Sequence, residues 1–264
     1  MRRFLIIFIL LVAILVTALT FLRGALSRPL VFPAPRMRLE PHLPGGRLLK
    51  VQGERTTYGY YAANGKKLVV LFHGNGEVMG SMQDLARVFQ DAGFSTLMAE
   101  YPGYGYAAQG SVSEDHIYAD VSLLLGHVAR EFGHAPQDTV LFGFSLGTGV
   151  AVEMALRQLG HRLILLAPFT SAGDAAEHHL GKWARWLLVD HFDNKTKAPQ
   201  IHYPVMILHG ERDSVLPFRM GREMAQLFPQ AEFIPVYRAD HNDLFLYIDK
   251  SVWQRILRFA GAAQ

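Results

Sequence analysis

The chain has 264 residues, 50% hydrophobic and 19% charged, enough for one large globular domain plus an additional element. Its 26 Lys and Arg nearly balance 23 Asp and Glu, with no basic run or aromatic–basic interleaving, which argues against a nucleic-acid partner. Cysteine is absent, so disulfides, thiolate metal sites and cysteine nucleophiles are excluded.

The first element is the uncharged run Phe4 to Leu22, FLIIFILLVAILVTALTFL, in which Thr17 and Thr20 are the only polar residues. At about 1.5 Å per residue it spans a hydrocarbon core of about 30 Å. It exceeds the ~7–15-residue apolar core of a cleaved signal peptide, no strong A-x-A site follows, and it lacks the polar face of a core helix. An uncleaved signal anchor over residues 1–23, seated in membrane lipid, is expected. Arg2 and Arg3 favour a cytoplasmic N-terminus and an exported domain, although Arg23, Arg28, Arg36 and Arg38 lie on the other side. Residues 24–46, rich in Pro and Gly, read as an extended tether or wrapping arm.

From residue 47 to the C-terminus the pattern alternates. RLLKVQ and TTYGYYAA predict a hairpin, KLVVLFHG a buried strand, MQDLARVFQDAG a helix and FSTLMAE a strand. SEDHIYADVSLLLGHVAREFG predicts a helix, TVLFGF a strand, LGTGVAVEMALRQLG a helix and RLILLAPF a strand. After a helical insert at about 170–202 come the strand YPVMILHG, the helix PFRMGREMAQLF, the strand AEFIPVY and one closing helix, DLFLYIDKSVWQRILRFAG. Apolar strands alternating with helices predict an α/β domain with a mostly parallel sheet covered on both faces.

One serine stands between two glycines where a strand meets a helix, Gly143-Phe144-Ser145-Leu146-Gly147. G-x-S-x-G recurs by chance, but here it falls at the carboxyl edge of a parallel sheet, where such folds bind ligands. A serine hydroxyl needs a base, and the base an orienting acid. Asp213 follows the strand VMILHG and His241 follows FIPVY, each at a later strand end. Two backbone N–H groups, of Leu146 after the serine and Asn75 in LFHGNGE, would form an oxyanion hole. Asp243 is a rival acid, read as the cap of the last helix.

HGNG, YPGYG (101–105), SVSE, GFSLG, APFTS (167–171), HGERDSVLP and DHND together resemble the α/β-hydrolase family from about residue 48 onward. The resemblance is greatest to membrane-anchored lipase, esterase and acyl-thioesterase-like members related to serine aminopeptidase-like hydrolases. It implies an α/β-hydrolase fold with a short helical lid, Ser145 as nucleophile, His241 as general base, Asp213 as orienting acid, and no cofactor or metal. Glu100 stands where an aspartate is commoner before the Tyr-Pro-Gly turn, a departure read as carrying no chemistry.

His73 and His209 read as hydrogen-bonding strand termini, and His178, His179 and His191 match no zinc spacing. A strand followed by Gly74, Gly76 and Gly80, with Glu100 at the next strand end, faintly suggests a dinucleotide site, but an oxidoreductase leaves the Ser–Asp–His set without purpose. A serine peptidase or amidase, or an inactive hydrolase-fold binding protein, is compatible with the same motifs. In the insert, Leu180, Trp183, Trp186 and Leu187 share one helical side, predicting a lid that contacts an acyl ester or thioester substrate or a lipid headgroup boundary.

Overall fold

The computed structural model describes residues 2–262. It opens with the long helix α1 (Arg2–Val31). An eight-stranded sheet follows: β1 (Gly46–Gln52), β2 (Thr56–Ala62), β3 (Leu68–Phe72), β4 (Ser95–Ala99), β5 (Thr139–Phe144), β6 (Arg162–Leu166), β7 (Val205–Gly210) and β8 (Ala231–Val236). The spatial order is β1-β2-β4-β3-β5-β6-β7-β8, and β2 alone runs against the other seven.

This order follows from the side chains. β3, β4, β5 and β7 are buried at every position, so each needs cover on two faces. On one face α3 (Glu114–Phe132), α4 (Leu146–Leu156) and α8 (Phe218–Leu227) cover the sheet side that carries Val70, Phe72, Leu141 and Ile207. On the other, α2 (Gln83–Asp91) and α10 (Lys250–Ala260) cover Val69, Leu71, Met98 and Phe142. Each such fully buried aliphatic or aromatic side chain contributes about 1.5–3 kcal/mol relative to exposure. The chain passes from β3 to β4 on one side, then returns past β3 to β5 on the other. Between β3 and β5 the connections diverge, and a crevice opens at the carboxyl ends of the strands.

Two local expectations are revised. The arm predicted from residue 24 is helical as far as Val31, because Gly24, Ser27 and Val31 form one face packed on the domain. From Phe32 it does wrap the surface: Phe32 and Leu43 are buried, and Gly105 N–H donates to the Pro35 carbonyl at 2.8 Å. The single closing helix is two, α9 (Leu244–Tyr247) and α10, separated where the Asp249 side chain caps α10 by accepting from Ser251 and Val252 N–H. The insert comprises α5 (Ala172–Leu180), α6 (Trp183–Leu187) and α7 (Asn194–Lys197).

Candidate active site

β5 runs into α4 with Ser145 as the only residue between them. Its backbone is at φ 52°, ψ −119°, a conformation that costs a non-glycine residue about 1–3 kcal/mol and lifts its side chain above the strand end. The flanking glycines are steric necessities. A Cβ on Gly143 would overlap the Gly147 carbonyl, and one on Gly147 would overlap the Phe72 carbonyl of β3.

The expected acid and histidine meet this serine. His241 Nε2 lies 2.9 Å from Ser145 Oγ, and His241 Nδ1 lies 2.7 Å from Asp213 Oδ2. A carboxylate accepts, so Nδ1 carries the proton and Nε2 is free to accept from the serine hydroxyl. All three residues are buried, and the Phe144 ring stacks on His241 at 5.3 Å. Asp213 Oδ1 accepts from Val215 and Leu216 N–H at 2.9 and 2.6 Å. Burial alone would raise its carboxyl pKa. Hydrogen bonds from His209 and His241, the charge of His241 and the Leu216 amide outweigh it and hold the group well below the usual carboxylate range.

Asp243 does not reach the histidine ring. Its Oδ1 accepts from Asp240 N–H at 2.7 Å, and it makes no side-chain cap to α9. Asp240 in turn accepts from His241 N–H and Ser214 N–H, both at 2.7 Å, which ties the histidine loop to the Asp213 loop.

Leu146 N–H is the first amide of α4 and has no preceding turn to receive it. Asn75, in the loop after β3, lines the same cavity as Ser145 and Leu146. The Asn75 side chain is held at both ends: Oδ1 accepts from Tyr104 O–H at 2.9 Å and Nδ2 donates to the Val31 carbonyl at 2.6 Å. Burial pushes the Tyr104 phenol well up, which keeps it a protonated donor. Thus a serine hydroxyl, an imidazole with its carboxylate partner, a helix N-terminus and the Asn75 loop meet at one sheet edge, an arrangement capable of acyl transfer.

The family profile described as "Serine aminopeptidase, S33" matches residues 63–195. Human alpha/beta hydrolase domain-containing protein 17B is 30% identical over 186 residues, covering 70% of this chain and 63% of that protein. The chain belongs to the α/β-hydrolase family. Among solved structures, the Pyrococcus furiosus esterase Pf2001 superposes with a TM-score of 0.72 at 14% identity, over 86% of this chain and 97% of that one. The Paleococcus ferrophilus monoacylglycerol lipase does so with a TM-score of 0.60 at 19% identity, over 78% and 99%.

In this α/β-hydrolase, Ser145 opens into a cavity of about 390 Å³ walled by Leu146, Phe169, Ala172, Ala175, Ala176, Leu187, Leu188 and Leu216, with Leu30, Val31 and Leu180 nearer the surface. Of the lid residues expected to contact substrate, Leu180 and Leu187 line the cavity. Trp183 and Trp186 do not: they are 61% and 69% exposed. The expected stripe assumed one continuous helix, but Gly181, at φ +89°, ends α5 and puts Leu180 on a different helix from the tryptophans. Arg185 is held down instead, paired with Asp174 and with Glu177 at 2.9 Å.

Three residues support the site through partners that the motifs did not name, although His209 is, as expected, a hydrogen-bonding strand terminus. Glu100 is buried with its carboxylate 3.2 Å from His73 Nε2, and it accepts from Met79 N–H at 3.2 Å. It therefore lies against the histidine that begins the Asn75 loop. A carboxylate ending the apolar stretch FSTLMAE was the available signal, since a buried charge must be paired. His209 donates through Nε2 to the Leu216 carbonyl at 2.8 Å and lies 3.3 Å from Asp213 Oδ2, bracing the acid's turn. His179, from the lid, reaches the cavity wall and donates to the Val215 carbonyl at 2.7 Å.

Proposed function

We propose that this chain is a membrane-anchored serine hydrolase that cleaves carboxylic esters or thioesters of lipid-derived acyl groups. The observation that carries the reading is His241, bridging Ser145 Oγ and Asp213 at 2.9 and 2.7 Å, with Ser145 itself lining an apolar cavity. His241 Nε2 takes the Ser145 proton as Oγ attacks the acyl carbonyl. The oxyanion is received by the Asn75 and Leu146 amides. The resulting imidazolium, balanced by Asp213, returns the proton to the leaving alkoxide or thiolate, and an acyl-serine ester remains. Water, deprotonated by the same imidazole, then releases the carboxylic acid and restores Ser145.

A peptidase reading runs against the character of the cavity. A free peptide N-terminus carries an ammonium group that needs a carboxylate partner, and among the described residues no Asp or Glu lines the space beside Ser145. The anchor reading is supported by the apolar stretch of α1, whose window has mean hydropathy 3.2 and is unburied. Arg2 and Arg3 ahead of it favour a domain on the exported side.

The test is a fluorophosphonate probe on full-length protein, with the adduct mapped by peptide mass spectrometry to Ser145. Labelling that survives Ser145→Ala ends the assignment. Retention in the membrane pellet under carbonate, with release by detergent, tests the anchor; an N-terminus near residue 28 would instead show cleavage.

A further inference from the structure

Anchoring explains why a chain carries an apolar helix, but not why that helix touches the active site. The last turn of α1 does so. Leu30 and Val31 line the same cavity as Ser145, together with lid residues Ala184 and Leu187. The contact is built into the fold. The Val31 carbonyl accepts from Asn75 Nδ2, on the loop presented for the oxyanion. Arg28 pairs with the buried Asp190 at 2.9 Å, and Arg23 donates to the carbonyls of Trp186 and Leu188 at the end of α6. Phe32, just past the helix, packs edge-on against Phe192. A flexible tether would need none of these bonds.

The cavity mouth lies at this junction. Leu30 on α1 and Leu180 at the end of α5 both line it and are 71% and 54% exposed. Two large apolar side chains left open at a rim mark a place where another apolar surface meets the protein. On α1, Leu22, Leu26 and Leu30 recur every four residues and all are exposed, forming one stripe. The stripe begins at the end of the apolar run Phe4–Leu22 and reaches the mouth within eight residues, about 12 Å along the axis.

We infer that the end of the anchor helix is a wall of the acyl pocket, and that an acyl chain passes from the surrounding leaflet along Leu22, Leu26 and Leu30 to Ser145. This rests on the serine-hydrolase reading and on the membrane seat of Phe4–Leu22. The occupant is the hydrocarbon tail of a lipid-borne ester or thioester, with its carbonyl at the rim of the hydrocarbon. Leu30 is then a specificity-determining residue, and the anchor is part of the enzyme.

The experiment uses full-length protein in nanodiscs with p-nitrophenyl esters of two to sixteen carbons. Leu30→Trp should lower the ratio of long-chain to acetate kcat/KM at least about tenfold, since each lost CH₂ contact is worth severalfold. Leu30→Ser, which cannot overfill the mouth, should lower it at least about threefold, while Leu19→Trp, higher in the membrane segment, keeps the parent ratio. A long-chain lipid ester should turn over when it shares the enzyme's nanodisc, and at least about tenfold more slowly when confined to separate vesicles. Unchanged ratios in both Leu30 variants, or equal turnover in the two lipid arrangements, overturn the inference. A parent that neither turns over acetate ester nor labels at Ser145 overturns the hydrolase reading instead.

Discussion

The carboxyl edge of the sheet and the surface where α1 meets the lid are held together in opposite ways. At the edge, backbone sterics leave almost no choice: Ser145 at φ 52° sits between two glycines whose α-hydrogens already face carbonyl groups. Asp213 and His241 are buried, and each accepts or donates at several atoms at once. At the lid, the joints are long, partly solvated cationic side chains: Arg23 to the Trp186 and Leu188 carbonyls, Arg185 to Glu177, Lys195 to Asp174. Such partly solvated pairs are each worth little, commonly under about 1 kcal/mol. A rigid site therefore lies under a cover held by weak joints, a division that suits the long acyl substrate proposed above.

The largest expected effects come from the rigid half. Ser145→Ala or His241→Ala should lower kcat by about 10⁴–10⁶-fold with the fold intact by circular dichroism. Asp213→Asn should cost about 10³–10⁴-fold, because an amide donor opposite Nδ1 favours the wrong tautomer. Asp243→Asn, which touches only the Asp240 amide, should stay within about tenfold of the parent. A harsher effect from Asp243 than from Asp213 would reassign the orienting acid. Gly147→Ala should fail differently: with Phe72 O in the way, β3 and α4 must separate, and soluble protein should fall or its melting temperature drop by about 10 °C or more.

The same contrast explains what the amino-acid sequence revealed. The eight strands and the turn at Ser145 were legible because apolar runs, glycine spacing and strand-end positions are local signals with one steric solution. Glu100 and Asp240 were not, because each matters through a partner far along the chain, His73 and Ser214. The lid misled for a related reason. A helical wheel drawn through Gly181 assumed continuity that the backbone breaks, and the docking of residues 24–31 depends on Asp190 and Asn75, more than forty positions away.

Acid should reveal both halves at intermediate size. Burial would raise Asp174, but bonds from Thr170, Lys195, Ser171 and Arg185 hold it well below the ordinary range, as the histidines do for Asp213. A carboxyl lowered in the folded state stabilises that state above its unfolded value, about 3.9, and the contribution is lost as pH falls towards the folded value. Thermal stability should accordingly hold from pH 8 to about 5 and decline below about 4. Asp174→Asn should melt lower at pH 7, by about 1–2 kcal/mol, yet lose less of its remaining stability between pH 5 and 3. A decline as steep as the parent's would remove the Asp174 cluster from the acid response.

The smallest effect belongs to Trp186, and its size separates two roles for the lid. The indole is 69% exposed and does not line the cavity, while the Arg23 guanidinium lies 4.9 Å from its ring. A cation over an exposed ring contributes about 0.5–1 kcal/mol, and the Arg23 hydrogen bond to the Trp186 carbonyl does not depend on the side chain. Trp186→Ala should therefore cost less than about 1 kcal/mol in thermal stability and leave the acyl-length profile of kcat/KM parallel to the parent's. What should change is adsorption at the headgroup level, where tryptophan beside arginine is favoured. Uniformly slower turnover of vesicle-borne esters, with soluble esters unaffected, fits that placement. Selective loss of long chains in detergent solution would instead put Trp186 inside the pocket, and the lid would have to close by turning α6 inward over Leu187.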